Sequence, residues 1–229
     1  MENSEKNTLF PVFLKLEKIN TLVIGGGNVA REKLEALLGN SPLARVKLVA
    51  TEIQDSLKTY LELKGISYQE RSFDISDLHE IKLAIIAIND KSVSKLIYDQ
   101  CADHKILTNV ADTPDYCDFY LGSIVQKGNL KIAISTNGKS PTIAKRIKEV
   151  LNETLPLELE SVLDNMQKIR NSLSGDFSDK VKKLNSITTI LAVDNPSKFN
   201  RKGIFYTILI IGAAFFLILM GVLLAGLIK

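Results

Sequence analysis

The chain is poor in the residues that build disulfide networks and metal centres. Its 229 residues include only two cysteines and two histidines. Cys101 and Cys117 are too few to cross-link a small secreted fold, and they are expected to be packing residues in a reducing compartment. The two histidines are His79 and His104, and the single close Cys/His pair, Cys101 and His104, falls short of the four ligands of a zinc site, so the sequence predicts no metal site of its own.

A strong charge of one sign is also absent. The formal net charge at pH 7 is only +3, and no RNA-binding or helix-turn-helix pattern accompanies it. The sequence therefore indicates no nucleic-acid partner.

Charged residues disappear altogether near the C-terminus. Residues 203–228, GIFYTILIIGAAFFLILMGVLLAGLI, contain none, and at a rise of about 1.5 Å per residue they are long enough to cross a hydrocarbon core of about 30 Å. A buried core helix is the alternative, but such helices seldom stay uncharged for so long. We expect one transmembrane helix at 203–228, preceded by a linker at 196–202.

The charges that flank this segment predict its orientation. Lys198, Arg201 and Lys202 precede it, whereas only Lys229 follows it. By the positive-inside rule, the N-terminal part of the chain is expected in the cytoplasm and the protein in the membrane as a single-pass protein.

Before this segment, strand-like runs alternate with helix-like runs. A buried strand at 21–24 precedes a helical pattern at 28–38, and the alternation continues to ILTNVAD, which ends at residue 112. This order predicts an α/β fold, with a Rossmann-type parallel sheet in a domain of residues 1–112. The stretch FYLGSIVQKGNLKIAIST indicates a hairpin-like unit within 113–140, and 141–195 has helical character.

The stretch LVIGGGNVAREKLEAL carries the clearest motif. Gly25, Gly27 and Ala30 match the GxGxxA pattern of dinucleotide-binding proteins. The first glycine makes a tight turn, the second lets backbone amides approach a pyrophosphate, and the small third residue lets the helix pack closely on the strand. A purely structural turn is the alternative. The strand, helix and strand around the motif favour a nucleotide site.

Other candidates follow the carboxyl ends of the strands, where parallel sheets bind ligands. The acidic residue that bonds the ribose is expected about 20 residues after the motif, and Glu52 comes one or two positions late. Arg45 is the nearest arginine for a 2′-phosphate, but it starts its strand, so NAD is favoured over NADP. The predicted cofactor-binding residues are Gly25, Gly26, Gly27, Asn28, Val29, Thr51, Glu52, Asn89 and Asp90.

Three segments together resemble one family. GGGNVA, NVAD and STNGKSP, in this order and spacing, are similar to the precorrin-2 dehydrogenase and sirohydrochlorin ferrochelatase family, which completes sirohaem. The resemblance covers residues 9–155. It implies a homodimer, with dimerisation through 113–140 and a helical domain at 141–195. It also implies NAD-dependent oxidation of the tetrapyrrole precorrin-2 to sirohydrochlorin and, in some members, insertion of ferrous iron.

The resemblance assigns the catalytic aspartate of the family to Asp112. Its position fits, because it closes the last parallel strand at the ligand edge, where a carboxylate could accept a proton as hydride leaves the substrate. From the residues alone, Asp112 can also be a turn-forming aspartate before Thr113 and Pro114.

The start of the helix after Pro141 carries the predicted substrate-binding residues. Ser140 matches a family serine beside the active site, although N-capping can be its whole role. The substrate that the resemblance implies bears eight carboxylates, so Lys139, Lys145 and Arg146 are candidates for steering it. A solvated helix face is the alternative for these three cations.

Three hypotheses of function follow. The leading one is a membrane-tethered, homodimeric NAD-dependent precorrin-2 dehydrogenase. A broader version of this hypothesis adds insertion of iron as a second activity of the same protein. The alternative is an NAD(H)-sensing regulatory module of a membrane partner, which would bind nucleotide without turnover. A third, an interaction scaffold with a structural glycine turn, would bind no nucleotide.

Overall fold

The computed structural model describes residues 6–156, 159–174 and 176–188. Contacts divide the chain into two units, Met1–Glu160 and Ser161–Lys229. Within the described ranges, no helix combines the length and apolar character needed to cross a membrane. The predicted transmembrane helix at 203–228 and the linker at 196–202 lie outside the described residues.

Five parallel strands form the centre of the first unit, in the order β3-β2-β1-β4-β5. This order matches the first five strands of the Rossmann order 3-2-1-4-5-6, so the predicted α/β fold with a Rossmann-type parallel sheet is confirmed. The strands are β1 (Asn20–Ile24), β2 (Arg45–Ala50), β3 (Ser67–Glu70), β4 (Leu83–Ile86) and β5 (Leu107–Val110).

Helices cover both faces of the sheet because each central strand is apolar on both sides. In β1, Val23 packs in the cluster that contains Leu34 of the first helix, whereas Leu22 and Ile24 pack in the opposite cluster with Ile97 of the third. The helices of this part are α1 (Asn28–Asn40), α2 (Asp55–Lys64) and α3 (Lys91–Asp103), and the short 3-10 turns are Leu16–Lys18, Ile75–Leu78 and Pro114–Tyr116.

The expected change of pattern after the sheet is present. Strands β6 (Ser123–Lys127) and β7 (Leu130–Ile134) form an antiparallel hairpin, and the turn between them contains Gly128 in the left-handed region, at φ +57°. Helix α4 (Pro141–Thr154) follows with proline in its first turn. The Ser140 hydroxyl accepts a hydrogen bond from the backbone N–H of Ile143 at 3.2 Å, which confirms the predicted N-cap.

Two further helices follow, α5 (Leu159–Ser172) and α6 (Phe177–Thr188). Helical character after residue 141 is therefore present in the described part of the chain. The division into a dimerisation region at 113–140 and a helical domain at 141–195 stays a prediction, and residues 189–195 lie outside the described residues.

Candidate cofactor-binding and active site

A cavity of about 790 Å³ opens at the carboxyl ends of β1, β2 and β4. Its position is the one that the parallel sheet predicts, because the loops after these strands meet at a single edge. All nine predicted cofactor-binding residues line it: Gly25, Gly26, Gly27, Asn28, Val29, Thr51, Glu52, Asn89 and Asp90.

The first two glycines are required because backbone approaches backbone. Gly25 has φ +132°, and a Cβ there would collide with the carbonyl group of Ala87. A Cβ on Gly26 would collide with the carbonyl group of Glu52. The loop is also tied to its neighbours, since the Gly25 N–H donates to the Val49 carbonyl at 3.0 Å and Gly26 accepts from the Gln54 N–H at 3.0 Å.

Gly27 has a different environment. A Cβ built on Gly27 would meet no atom within 4 Å, and Gly27 caps α1 without any side-chain hydrogen bond. Gly27, Asn28 and Val29 line the cavity at the positive end of α1, where no side chain caps the helix. This arrangement fits the diphosphate of a dinucleotide, which needs backbone N–H donors and close access to the main chain.

The start of α3 contrasts with the start of α1. The Asp90 carboxylate Oδ1 accepts from the backbone N–H groups of Ser92 at 2.8 Å and Val93 at 3.1 Å, and from the Ser92 hydroxyl at 2.5 Å. The hydroxyl bond, followed by the two backbone bonds, lowers the pKa of Asp90. Asp90 thus lines the cavity, but one of its carboxylate oxygens already serves as the N-cap of α3.

The loop after β2 places Thr51 and Glu52 at the rim. Strand β2 ends at Ala50, so Glu52 is two residues beyond the strand, exposed beside the cavity. Its backbone neighbour Ile53 donates to the Glu70 carboxylate at 2.9 Å. Glu70 also pairs with Lys58 at 2.7 Å, and the bond from the Lys58 side chain is the main cause of the lowered pKa of Glu70.

The sequence did not predict the wall that follows β3. Ser72 and Phe73 line the cavity, and they are held by a bidentate pair in which Arg71 donates to Asp77 at 2.6 and 2.8 Å. The stretch ISYQERSF begins with a strand-like pattern, but nothing in it marks Ser72 or Phe73 as site residues. Other unpredicted lining residues are Ile24, Ala50, Gln54, Ala87, Ile88, Val93, Leu96 and Ile97.

Asp112 lies one strand beyond the cavity, at the same edge of the sheet. It is exposed and sits in a turn directly after β5, with φ +55° in the left-handed region. The neighbouring Ala111 N–H donates to the Ile86 carbonyl at 2.9 Å, so the turn starts beside the end of β4. Asp112 is not among the residues that line the cavity.

The predicted substrate-binding residues lie elsewhere, at the start of α4. Lys139, Lys145 and Arg146 are exposed and Ser140 is half-buried, and none of the four lines the cavity. Arg146 pairs with Glu149 on its own helix at 2.8 Å. Such an exposed pair contributes little and leaves the guanidinium accessible to an anion. Within the described ranges, no group of three or more His, Cys, Asp or Glu residues could hold a metal ion.

Comparison with known protein families gives two matches along the chain. Residues 12–123 match a putative NAD(P)-binding family, and residues 127–153 match the central part of sirohaem biosynthesis proteins. The first match covers the whole sheet and all its loops. The second covers the turn of the hairpin, β7 and most of α4.

Curated relatives agree with these matches. The chain is 33% identical over 172 residues to the siroheme synthase of Vesicomyosocius okutanii subsp. Calyptogena okutanii, covering 75% of this chain and 35% of the relative. It is 34% identical over 148 residues to the siroheme synthase of Baumannia cicadellinicola subsp. Homalodisca coagulata, covering 64% and 31%. The chain thus spans about a third of the length of these relatives.

A solved structure has the same fold. SirC, a precorrin-2 dehydrogenase, aligns with a TM-score of 0.63 at 22% identity, over 85% of this chain and 94% of its own. This likeness shows the fold, and the family matches and the curated relatives support the family predicted from the sequence motifs.

Proposed function

We propose that this chain, a relative of the siroheme synthases over most of its described length, is an NAD-dependent dehydrogenase that oxidises precorrin-2 to sirohydrochlorin. The observation that carries the proposal is the arrangement of groups at one edge of the sheet. An uncapped helix start faces a cavity of about 790 Å³ there, and a carboxylate, Asp112, follows the neighbouring strand.

The reaction removes a hydride and a proton from the tetrapyrrole. NAD+ supplies the hydride acceptor when it is bound. The amides after Gly27 would hold the cofactor, and Glu52 would accept hydrogen bonds from its ribose hydroxyls. Asp112 accepts the proton, which then passes to solvent because its side chain is exposed.

The cations at the start of α4 attract the substrate. Lys139, Lys145 and Arg146 are exposed and would raise the local concentration of a polyanionic tetrapyrrole. At this helix start Pro141 has no N–H and the Ser140 hydroxyl caps the Ile143 N–H, which leaves the Thr142 N–H for a substrate carboxylate.

The experiment that tests the proposal is anaerobic incubation of the full-length protein with precorrin-2 and NAD+, followed by absorbance. We expect stoichiometric NADH and the spectrum of sirohydrochlorin. Nucleotide binding without turnover would contradict the proposal and favour an NAD(H)-sensing module. Addition of ferrous iron after completion tests insertion of the metal, a second activity that rests on the family resemblance.

We further propose that the protein is a homodimer. Helix α4 exposes an apolar stripe at Ile143, Ile147 and Val150, which are 56%, 41% and 59% exposed. These residues recur at helical spacing on one side, and a second copy would cover them. Sedimentation of the wild type and of Ile147→Lys tests this, since the variant should shift the mass toward the monomer. A wild type that sediments as a monomer at all concentrations would contradict it.

The membrane location is also a proposal. It rests on the uncharged sequence at 203–228 and on the cations before it. The proposal predicts that the full-length protein stays with membranes in alkaline carbonate, with its N-terminal part accessible to protease from the cytoplasmic side. Release by carbonate would contradict it.

A further inference from the structure

We infer that the Cys117 thiol and the Asn109 amide are positioning residues for Asp112, because they close the segment 110–119 into a loop whose turn carries that carboxylate. This inference rests on the proposed function and concerns the geometry of the same site. Neither residue is expected to touch the substrate or the cofactor.

The Asn109 side chain forms one side of the closure. It is 6% exposed in β5, and its Nδ2 group donates to the Phe119 carbonyl at 2.8 Å and to Cys117 Sγ at 3.4 Å. This hydrogen bond joins residues ten positions apart and fixes where the loop returns to the strand, because a buried amide without a partner would be unfavourable.

The outer edge of β5 forms the second side. The Asp118 N–H donates to the Thr108 carbonyl at 2.8 Å, and the Thr108 N–H donates to the Asp118 carboxylate at 2.8 Å. Because β5 is the last strand of the sheet, these two bonds satisfy an edge that would otherwise be open. The loop therefore starts and ends on the same strand.

The Cys117 thiol connects two residues inside the loop. Its Sγ lies 3.2 Å from the Val110 carbonyl and 3.3 Å from the Thr113 carbonyl, so one thiol proton is shared between the residues on either side of the Asp112 turn. Burial is the main cause of the raised pKa of Cys117. The thiol therefore keeps its proton at neutral pH and remains a donor.

The backbone at Asp112 explains why such a closure is needed. Asp112 has φ +55°, a conformation that costs a non-glycine residue about 1 kcal/mol or more and persists only when surrounding contacts hold it. The hydrogen bond from the Thr113 N–H to the Val110 carbonyl is long, at 3.3 Å, and contributes little to holding the turn. The shared thiol bond to the same carbonyl stabilises the geometry that directs Asp112 to the ligand edge.

The test compares Cys117→Ala with Cys117→Ser in the full-length protein under saturating NAD+ and precorrin-2. Alanine removes the donor, so kcat should fall about tenfold or more as the carboxylate loses its position. Serine retains a donor and should restore most of kcat. The KM for NAD+ should stay within about twofold of the wild type, because no residue of 109–119 lines the nucleotide cavity.

A double-mutant cycle with Asp112→Asn separates positioning from general damage. If Cys117 acts through Asp112, Cys117→Ala should change the residual rate of Asp112→Asn by less than about twofold. Cys101→Ala is the matched control, because Cys101 is fully buried in α3. This control should lower the free energy of unfolding without lowering kcat.

Two outcomes overturn the inference. A Cys117→Ala enzyme with wild-type kcat, or an equal loss in both Asp112 backgrounds, shows that the thiol does not position the carboxylate. If Cys117→Ala does not fold, the same cycle is run with Asn109→Ser and is judged in the same way. A wild type without turnover defeats the proposed function itself, which distinguishes that failure from the failure of this inference.

Discussion

Two loops at the same sheet edge are built by different means. The loop after β1 is held by backbone lying against backbone, which only glycine permits at Gly25 and Gly26. The loop after β5 is held by side chains, chiefly those of Asn109 and Cys117. A few adjacent residues therefore specify the loop that faces the cofactor, whereas the position of a single carboxylate needs partners seven and ten residues apart.

The largest effect on stability is expected from a substitution in the loop after β1. Gly26→Ala would force a Cβ into the Glu52 carbonyl, and we expect it to lower the free energy of unfolding by about 3 kcal/mol or more. Gly39→Ala is the matched control, because a Cβ in that helical position meets no atom within 4 Å. It should raise stability by about 0.5 to 1 kcal/mol. Denaturant unfolding measures both, and equal effects would contradict this account of the loop.

A second variant separates cofactor binding from folding at the same loop. A methyl group at Gly27 enters open space, so Gly27→Ala should fold normally but reduce affinity for NAD+ about tenfold or more, because it blocks close approach of the diphosphate. Calorimetric titration with NAD+ measures this. Unchanged affinity would show that the nucleotide does not lie against Gly27.

The third variant addresses the loop after β5. Asp112→Asn should lower kcat by about 100-fold or more, because the amide cannot accept the proton. Its affinity for NAD+ should stay at the wild-type value, in contrast to Gly27→Ala. Asp115→Asn, an exposed change in the same loop, is the control and should remain active. An active Asp112→Asn enzyme would show that Asp112 is not the proton acceptor.

A third loop at this edge offers a test that depends on pH. The guanidinium of Arg71 is the main cause of the lowered pKa of Asp77, so Asp77 stabilises the fold above the pKa of the unfolded state and loses this effect as pH falls through the folded pKa. Asp77→Asn should therefore cost about 1 to 3 kcal/mol at neutral pH, and the difference should shrink below about pH 4. Urea unfolding across pH measures it, with exposed Asp103→Asn as control. A difference independent of pH would contradict the role of the pair.

The smallest effect concerns the start of α4. Ser140→Ala removes the acceptor of the Ile143 N–H and should cost about 1 kcal/mol of stability. Ser140→Asp keeps an acceptor and should restore it. If Ser140→Asp restores stability but not activity, the serine does more than cap the helix. If Ser140→Asp restores stability and activity equally, the role of the serine is limited to capping.

The sequence allowed prediction of whatever depends on local pattern. The alternation of strands and helices is such a feature, and the parallel sheet confirms it. The glycines after β1 are another: they line the cavity, and their role as cofactor ligands stays a prediction. The cap formed by Ser140 was also predictable, because capping involves residues three apart.

Features that depend on contacts between separate loops could not be predicted. The cavity wall at Phe73 follows β3, where no motif marks it. The bonds from Asn109 to Phe119 and from Ile53 to Glu70 join residues ten and 17 positions apart. Asp90 was predicted only as a cofactor ligand, although its use as the N-cap of α3 is a local pattern of the same kind as the Ser140 cap.

The most direct test of the central claim is a crystal structure of the full-length protein with NAD+. We expect the diphosphate on the amides that follow Gly27, with the nicotinamide ring extended along the sheet edge toward the Asp112 carboxylate. A crevice left empty at saturating NAD+, or a nicotinamide ring directed toward β3 and away from Asp112, would contradict it.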